Sequence, residues 1–234
     1  MKKLLRIAIA VLAMMLLSQS SRSADHIDSP RALSAGPEVD ITDQYAWMSP
    51  DAKSVFIVMG FLRNASIDSR FSDSAQYVVR TFSRQKFGDA PSAEVDIICV
   101  FSKAQIIQCW AGNESYVTGD ASNPAGITSA DGKLRVFAGL RQDAMFFNSA
   151  GFRATARLVT AALPTLQFDT SGCPQVDAAT SAALITQLRS SATGGPPVNA
   201  FSQLDDLDIV LVVDKSILTK NGPILSISLA TYRP

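Results

Sequence analysis

The chain has one histidine, three cysteines and no apolar run long enough to cross a bilayer. Each scarcity excludes something. With His26 alone, a Ser-His-Asp triad has to use that residue, and no Gly-x-Ser-x-Gly elbow accompanies it. The cysteines, at 99, 109 and 173, lack Cys-x-x-Cys spacing, which removes zinc knuckles and thioredoxin-like motifs. The continuous apolar run from Ile7 to Leu17 falls well short of the roughly 20 residues that a spanning helix needs. Basic charge is not in excess either, with 21 Lys and Arg against 21 Asp and Glu. That balance favours neither nucleic acid nor an anionic membrane surface.

What is present begins with a leader. Lys2, Lys3 and Arg6 precede the apolar run, and small and polar residues follow it, the pattern of a secretory signal peptide over residues 1–24. Ala24 is one cleavage position, and Ser20 and Ser23 are its rivals. No cysteine follows the run that could carry a lipid anchor. Losing residues 1–24 removes Lys2, Lys3, Arg6 and Arg22 and no acid, so 17 of the 21 basic residues face 21 acidic ones, a net charge near −4. The expected compartment is periplasmic or extracellular, with no membrane span after cleavage and residues 25–234 as a single β-rich domain. Disulfides persist in that compartment. Cys99 and Cys109 flank Ser102-Lys103-Ala104-Gln105, and a hairpin centred on Ala104 sets them opposite each other. A bridge from Cys173 to either, or three free thiols, are the alternatives.

Short runs rich in Val, Ile, Phe and Tyr mark seven strands: Ser54–Phe61, Gln76–Ser83, Glu94–Phe101, Gln105–Ala111, Lys133–Leu140, Leu207–Val213 and Ile224–Tyr232. Gly, Pro, Asn, Asp and Ser clusters separate them, and regular βα alternation is missing. Phe152, Ala156, Val159 and Leu163 recur at helical spacing until Pro164 ends the run. Asp177 caps a second helix reaching about Arg189, stopped by Gly194-Gly195-Pro196-Pro197. The predicted class is mainly β (α+β): an antiparallel, sandwich-like domain of about seven strands with a two-helix insertion between strands five and six, packed on one sheet.

Three segments carry a resemblance: His26-Ile27-Asp28-Ser29-Pro30, then Ile41-Thr42-Asp43-Gln44-Tyr45-Ala46-Trp47, then Phe137-Ala138-Gly139-Leu140-Arg141-Gln142-Asp143-Ala144-Met145-Phe146-Phe147. In these the chain resembles the secreted bacterial family called domain of unknown function 4331. Ile27, Asp28 and Ala144 stand where that family has arginine, glutamate and proline. The resemblance implies export and a shared fold, and assigns no activity.

The same segments supply the candidate site: His26, Asp28, Asp40, Asp43, Tyr45, Arg141 and Asp143. An imidazole with carboxylates is a ligand set for a divalent metal such as calcium, with His26, Asp28, Asp43 and Asp143 as the donors. The structural reading has the aspartates capping turns and pairing with Arg141 to pin a long N-terminal arm. Asp205-Asp206-Leu207-Asp208 reads as a solvated strand end, because it lacks the Gly and Glu of an EF-hand loop. Tyr45, Trp47 and Trp110 read as cross-strand aromatics ahead of a sugar platform. Phe146-Phe147 reads as a core plug. The expected function is a non-catalytic extracytoplasmic binding or structural protein with a small-molecule or protein partner. The alternative is a hydrolase using His26 and neighbouring aspartates.

Overall fold

Alternation of apolar and polar residues, the main signal in the sequence, becomes two sheets facing one core. The computed structural model describes residues 36–90, 93–191 and 193–233. The leader, His26 and Asp28 lie outside the described residues. The strands are β1 (Ile41–Met48), β2 (Ser54–Phe61), β3 (Gln76–Arg84), β4 (Ala93–Phe101), β5 (Ile107–Ala111), β6 (Ser115–Gly119), β7 (Ile127–Thr128), β8 (Leu134–Gln142), β9 (Gln167–Phe168), β10 (Pro174–Gln175), β11 (Asp205–Asp214) and β12 (Ile224–Tyr232). Helices α1 (Ser149–Ala162) and α2 (Ala178–Leu188) fall between β8 and β11, and α3 (Lys215–Leu218) is a single turn.

The protein is mainly β, and the two-helix insertion sits where the sequence places it. Twelve strands replace the expected seven; β1, β6, β7, β9 and β10 are the additions. The described chain forms two units, one of residues up to 141 together with those from 206 onward, the other of residues 142–205.

The first unit holds the sandwich. One sheet has the order β1-β2-β11-β8-β7 and the other β12-β3-β4-β5-β6. Residues two apart on a strand share a face. Val55, Ile57, Met59 and Phe61 of β2 and Leu207, Ile209, Leu211 and Val213 of β11 therefore all turn inward. From the other sheet Tyr77 and Val79 of β3, Ile97, Cys99 and Phe101 of β4, and Ile107 and Cys109 of β5 meet them. Each such side chain contributes roughly 1.5–3 kcal/mol by leaving water. Cys99 faces Cys109 directly in the β4–β5 ladder, and the two form a disulfide with Cα atoms 4.2 Å apart. Cys173 is a free, exposed thiol.

In the second unit one residue holds both helices. The Asn148 carboxamide oxygen accepts from Gly151 N at the start of α1 (3.3 Å). Its Nδ2 donates to the carbonyls of Leu188 (2.8 Å) and Ser190 (2.7 Å) at the end of α2. Gly151 is required there, because a Cβ would stand 2.5 Å from the Ser190 carbonyl oxygen. Asp177 caps α2 by accepting from Thr180 N at 2.7 Å. Cys173 lies between β9 and β10, which pair as a short antiparallel ladder. The expected Phe146-Phe147 plug is corrected. Phe146 is exposed, while Phe147 packs on Phe152 and Phe201 with ring centroids 5.5 and 5.4 Å away.

Candidate functional site

Of the predicted polar residues, Asp40, Asp43 and Tyr45 sit on or beside β1. The β1–β2 register shifts between Ile41 and Gln44, which breaks the pleat where Thr42 and Asp43 stand. Thr42 Oγ1 donates to Asp206 Oδ2 at 2.9 Å. Gly60, opposite Asp208 on β11, leaves room for that hydroxyl, since a Cβ on residue 60 would come within 2.6 Å of it. Asp40 and Asp206 are buried, and Tyr45 and Asp43 half-buried. Asp206 is therefore a correction: the acidic run is not a solvated strand end, because β11 carries it into the sheet. Asp43 and Asp206 bring carboxylate oxygens within 4.8 Å of each other. Carboxylates at that spacing suit a cation or a shared proton, and Thr42 already takes one oxygen of Asp206. Asp143 belongs to the second unit, where its Oδ1 accepts from Met145 N at 2.7 Å and its own N–H donates to Leu204 O at 3.0 Å.

Arg141 is on β8, on the same strand face as Phe137 and Gly139. The three are spaced by two, so β8 presents them in a row. The Phe137 ring lies beside Gly139, where a Cβ would be 3.1 Å from its Cζ. The Arg141 guanidinium then covers that ring, its carbon 3.8 Å from the centroid. Arg141 Nη1 also donates to the Leu140 carbonyl at 3.3 Å. This is the physical content of the Phe-x-Gly-x-Arg segment: the glycine seats the ring and the ring seats the cation.

These residues form one wall of a cleft in the first unit, about 530 Å³ in volume. Phe71 and Phe101 lie along it, stacked with centroids 4.2 Å apart and planes 3° from parallel. Below them Tyr77 meets both rings edge-on. A second wall is the turn around Arg70, whose Nη1 donates to the carbonyls of Ile67 (2.9 Å) and Ser69 (2.8 Å). Asp120 and Ser122 line the cleft as well. The hydroxyl of Ser122, with its N–H at 3.0 Å, holds the Asp120 carboxyl below its ordinary range. Two guanidiniums and one carboxylate leave the cleft with a net positive charge.

The rim of the cleft is fixed by Gln105. It closes the β4–β5 turn with a positive φ of 60°, a conformation in which glycine is the usual residue. Its side chain accounts for the exception. Nε2 donates to Phe71 O at 3.0 Å, and Oε1 accepts from Phe71 N at 2.9 Å, so the amide imitates a strand partner. Gln105→Ala should lower the unfolding free energy by about 2 kcal/mol through lost hydrogen bonds. Gln105→Gly should cost less, because glycine removes the backbone strain along with the bonds. Urea unfolding of the two variants checks the order; equal losses would show that the positive φ carries no strain.

Trp47 and Trp110 are cross-strand partners, as read from the sequence. Trp47 stacks on Phe56 at 5.2 Å and Trp110 leans on Tyr116 at 5.3 Å, each pair in register. Arg141 was found by its motif. Arg70, Gln105 and Asp120 were missed: each sits in an ordinary polar loop, and only the fold brings residues 70, 105, 120 and 141 to one cleft. No protein-family model, curated protein or solved structure matches the chain.

Proposed function

We propose that the protein is an exported, non-catalytic binding protein whose ligand site is the cleft beside the Phe71–Phe101 stack. The observation that carries this reading is the chemistry of the charged groups lining it. Arginine keeps its proton at any physiological pH, and Asp120 is held ionised by Ser122. Such groups fix charge in place; a general acid or base needs a pKa near the working pH. The walls are also set before a ligand arrives, by the Gln105–Phe71 pair and the Arg70 turn, which reduces the ordering cost of binding. The volume lies within the range of small-molecule sites. Export is supported by the leader pattern and by the Cys99–Cys109 bridge. No helix among the described residues is long and apolar enough to cross a membrane.

The test is a thermal-shift screen of the oxidised protein against a small-molecule library, followed by chromatography of each hit after prolonged incubation. Ligands that raise the melting temperature and return chemically unchanged are expected. Turnover of a hit that disappears in His26→Ala would replace this reading with the hydrolase.

A further inference from the structure

We propose that the cleft is a receptor site for a small organic monocarboxylate with an apolar body, the carboxylate being taken by Arg141 together with Arg70. The inference rests on the binding reading above and names its ligand class.

Three observations lead to it. First, the Arg141 guanidinium carbon stands 3.8 Å from the Phe137 ring centroid, so the ring covers one side of the cation while the group lines the cleft. The donors of a guanidinium lie in its plane, in the fork that a carboxylate matches with two parallel hydrogen bonds. The backbone bond to Leu140 engages Nη1 only and is long, at 3.3 Å. The ring contact restricts the guanidinium beside the cleft, and a lysine ammonium has no such fork to offer. Second, Arg70 is fixed in the same way through Nη1, by two carbonyls of its own turn. Its remaining nitrogens add a second positive charge to the same cleft. Third, beside the polar Gln105, Asp120 and serines, the lining carries an apolar part that includes Phe71, Phe101, Ala121, Leu140 and Leu207. A bare inorganic anion would leave that surface wet, and a neutral apolar molecule would leave one positive charge of the cleft unmet.

Charge count selects the monoanion. Two arginines against one ionised Asp120 leave a single positive charge to be met, whereas a dianion such as phosphate would carry its second charge toward the Asp120 carboxylate.

The probes are benzoate, its neutral amide benzamide, and inorganic phosphate. They are titrated into the oxidised protein while backbone amide resonances of Ala121, Gly139, Leu140 and Leu207 are followed. Benzoate should shift these resonances saturably, with benzamide and phosphate each binding at least about tenfold more weakly. Arg141→Gln should weaken benzoate by at least about tenfold at an unchanged melting temperature, with Arg141→Lys in between. Arg70→Gln should have a smaller effect in the same direction. Benzamide or phosphate binding as tightly as benzoate, or benzoate binding untouched in Arg141→Gln, would overturn the carboxylate assignment and leave the cleft a binding site. No shift at these amides with any of the three would overturn both the ligand class and the cleft as the site.

Discussion

Tyr77→Ala should cost at least about 4 kcal/mol of unfolding free energy, the largest loss expected from any single truncation described above. Tyr77 is fully buried where the two sheets meet, edge-on to Phe61, Phe71 and Phe101. Removing a buried aromatic ring costs about 3–5 kcal/mol in transfer energy and cavity. The hydroxyl adds to that: it accepts from Ser72 N at 2.9 Å and donates to Glu38 O at 3.0 Å, and losing it leaves a buried N–H unpaired. Tyr77→Phe isolates the second effect and should cost about 1–3 kcal/mol. Urea unfolding measures both; a Tyr77→Ala loss no larger than that of Tyr77→Phe would mean the ring contributes nothing by packing.

The same hydroxyl predicts a response to alkali. Burial pushes its pKa well above the usual value near 10, and the Ser72 N–H lowers it only in part. Above pH 10 the unfolded chain releases this proton while the folded chain keeps it. The unfolded state then binds fewer protons, so stability falls as pH rises, by about 1.4 kcal/mol per unit. The contribution is fully present below pH 10. Between neutral pH and about pH 11 the native protein should therefore lose more stability than Tyr77→Phe. Parallel losses would exclude Tyr77 as the source.

The second large effect is the disulfide. Replacing Cys99 and Cys109 together by alanine should cost about 3 kcal/mol, from the freedom restored to an unfolded loop of 10 residues' separation. Both sulfurs are shielded from solvent, between Ile97 and Ile107 in the core. Reductant added to the folded protein should thus act only through opening of the sandwich, and the melting temperature should fall slowly with incubation. An unfolding midpoint in the double variant equal to that of the oxidised protein would show that the β4–β5 ladder alone fixes the hairpin.

Much of this was legible in the residues, for reasons that can be named. The stretch from Ser54 to Phe61 reads as a strand and is β2, because apolar density and flanking turn residues agree. The turn at Ala104 predicted which cysteines could meet, since a hairpin pairs residues equidistant from its centre. Asp177 and Pro164 marked helix boundaries by chemistry independent of tertiary context. Ile41–Met48 was missed as a strand because an edge strand with a mostly solvated face offers little apolar periodicity. Asp206 misled for the opposite reason: beside Asp205 and Asp208 it reads as a charged strand end, and its hydroxyl donor is a threonine 164 residues away. Arg141 drew attention through its motif, but its contact with the aromatic face of Phe137 is visible only when β8 sets alternate residues side by side.

Asn148 has a consequence for how the protein breathes. One carboxamide completes the opening turn of α1 and the closing turn of α2. Fraying at either end removes the partner of the other, so the two helices cannot loosen one after the other from those ends. The helical segment should behave as a single cooperative foldon, with one opening free energy shared by amides at opposite ends of its sequence.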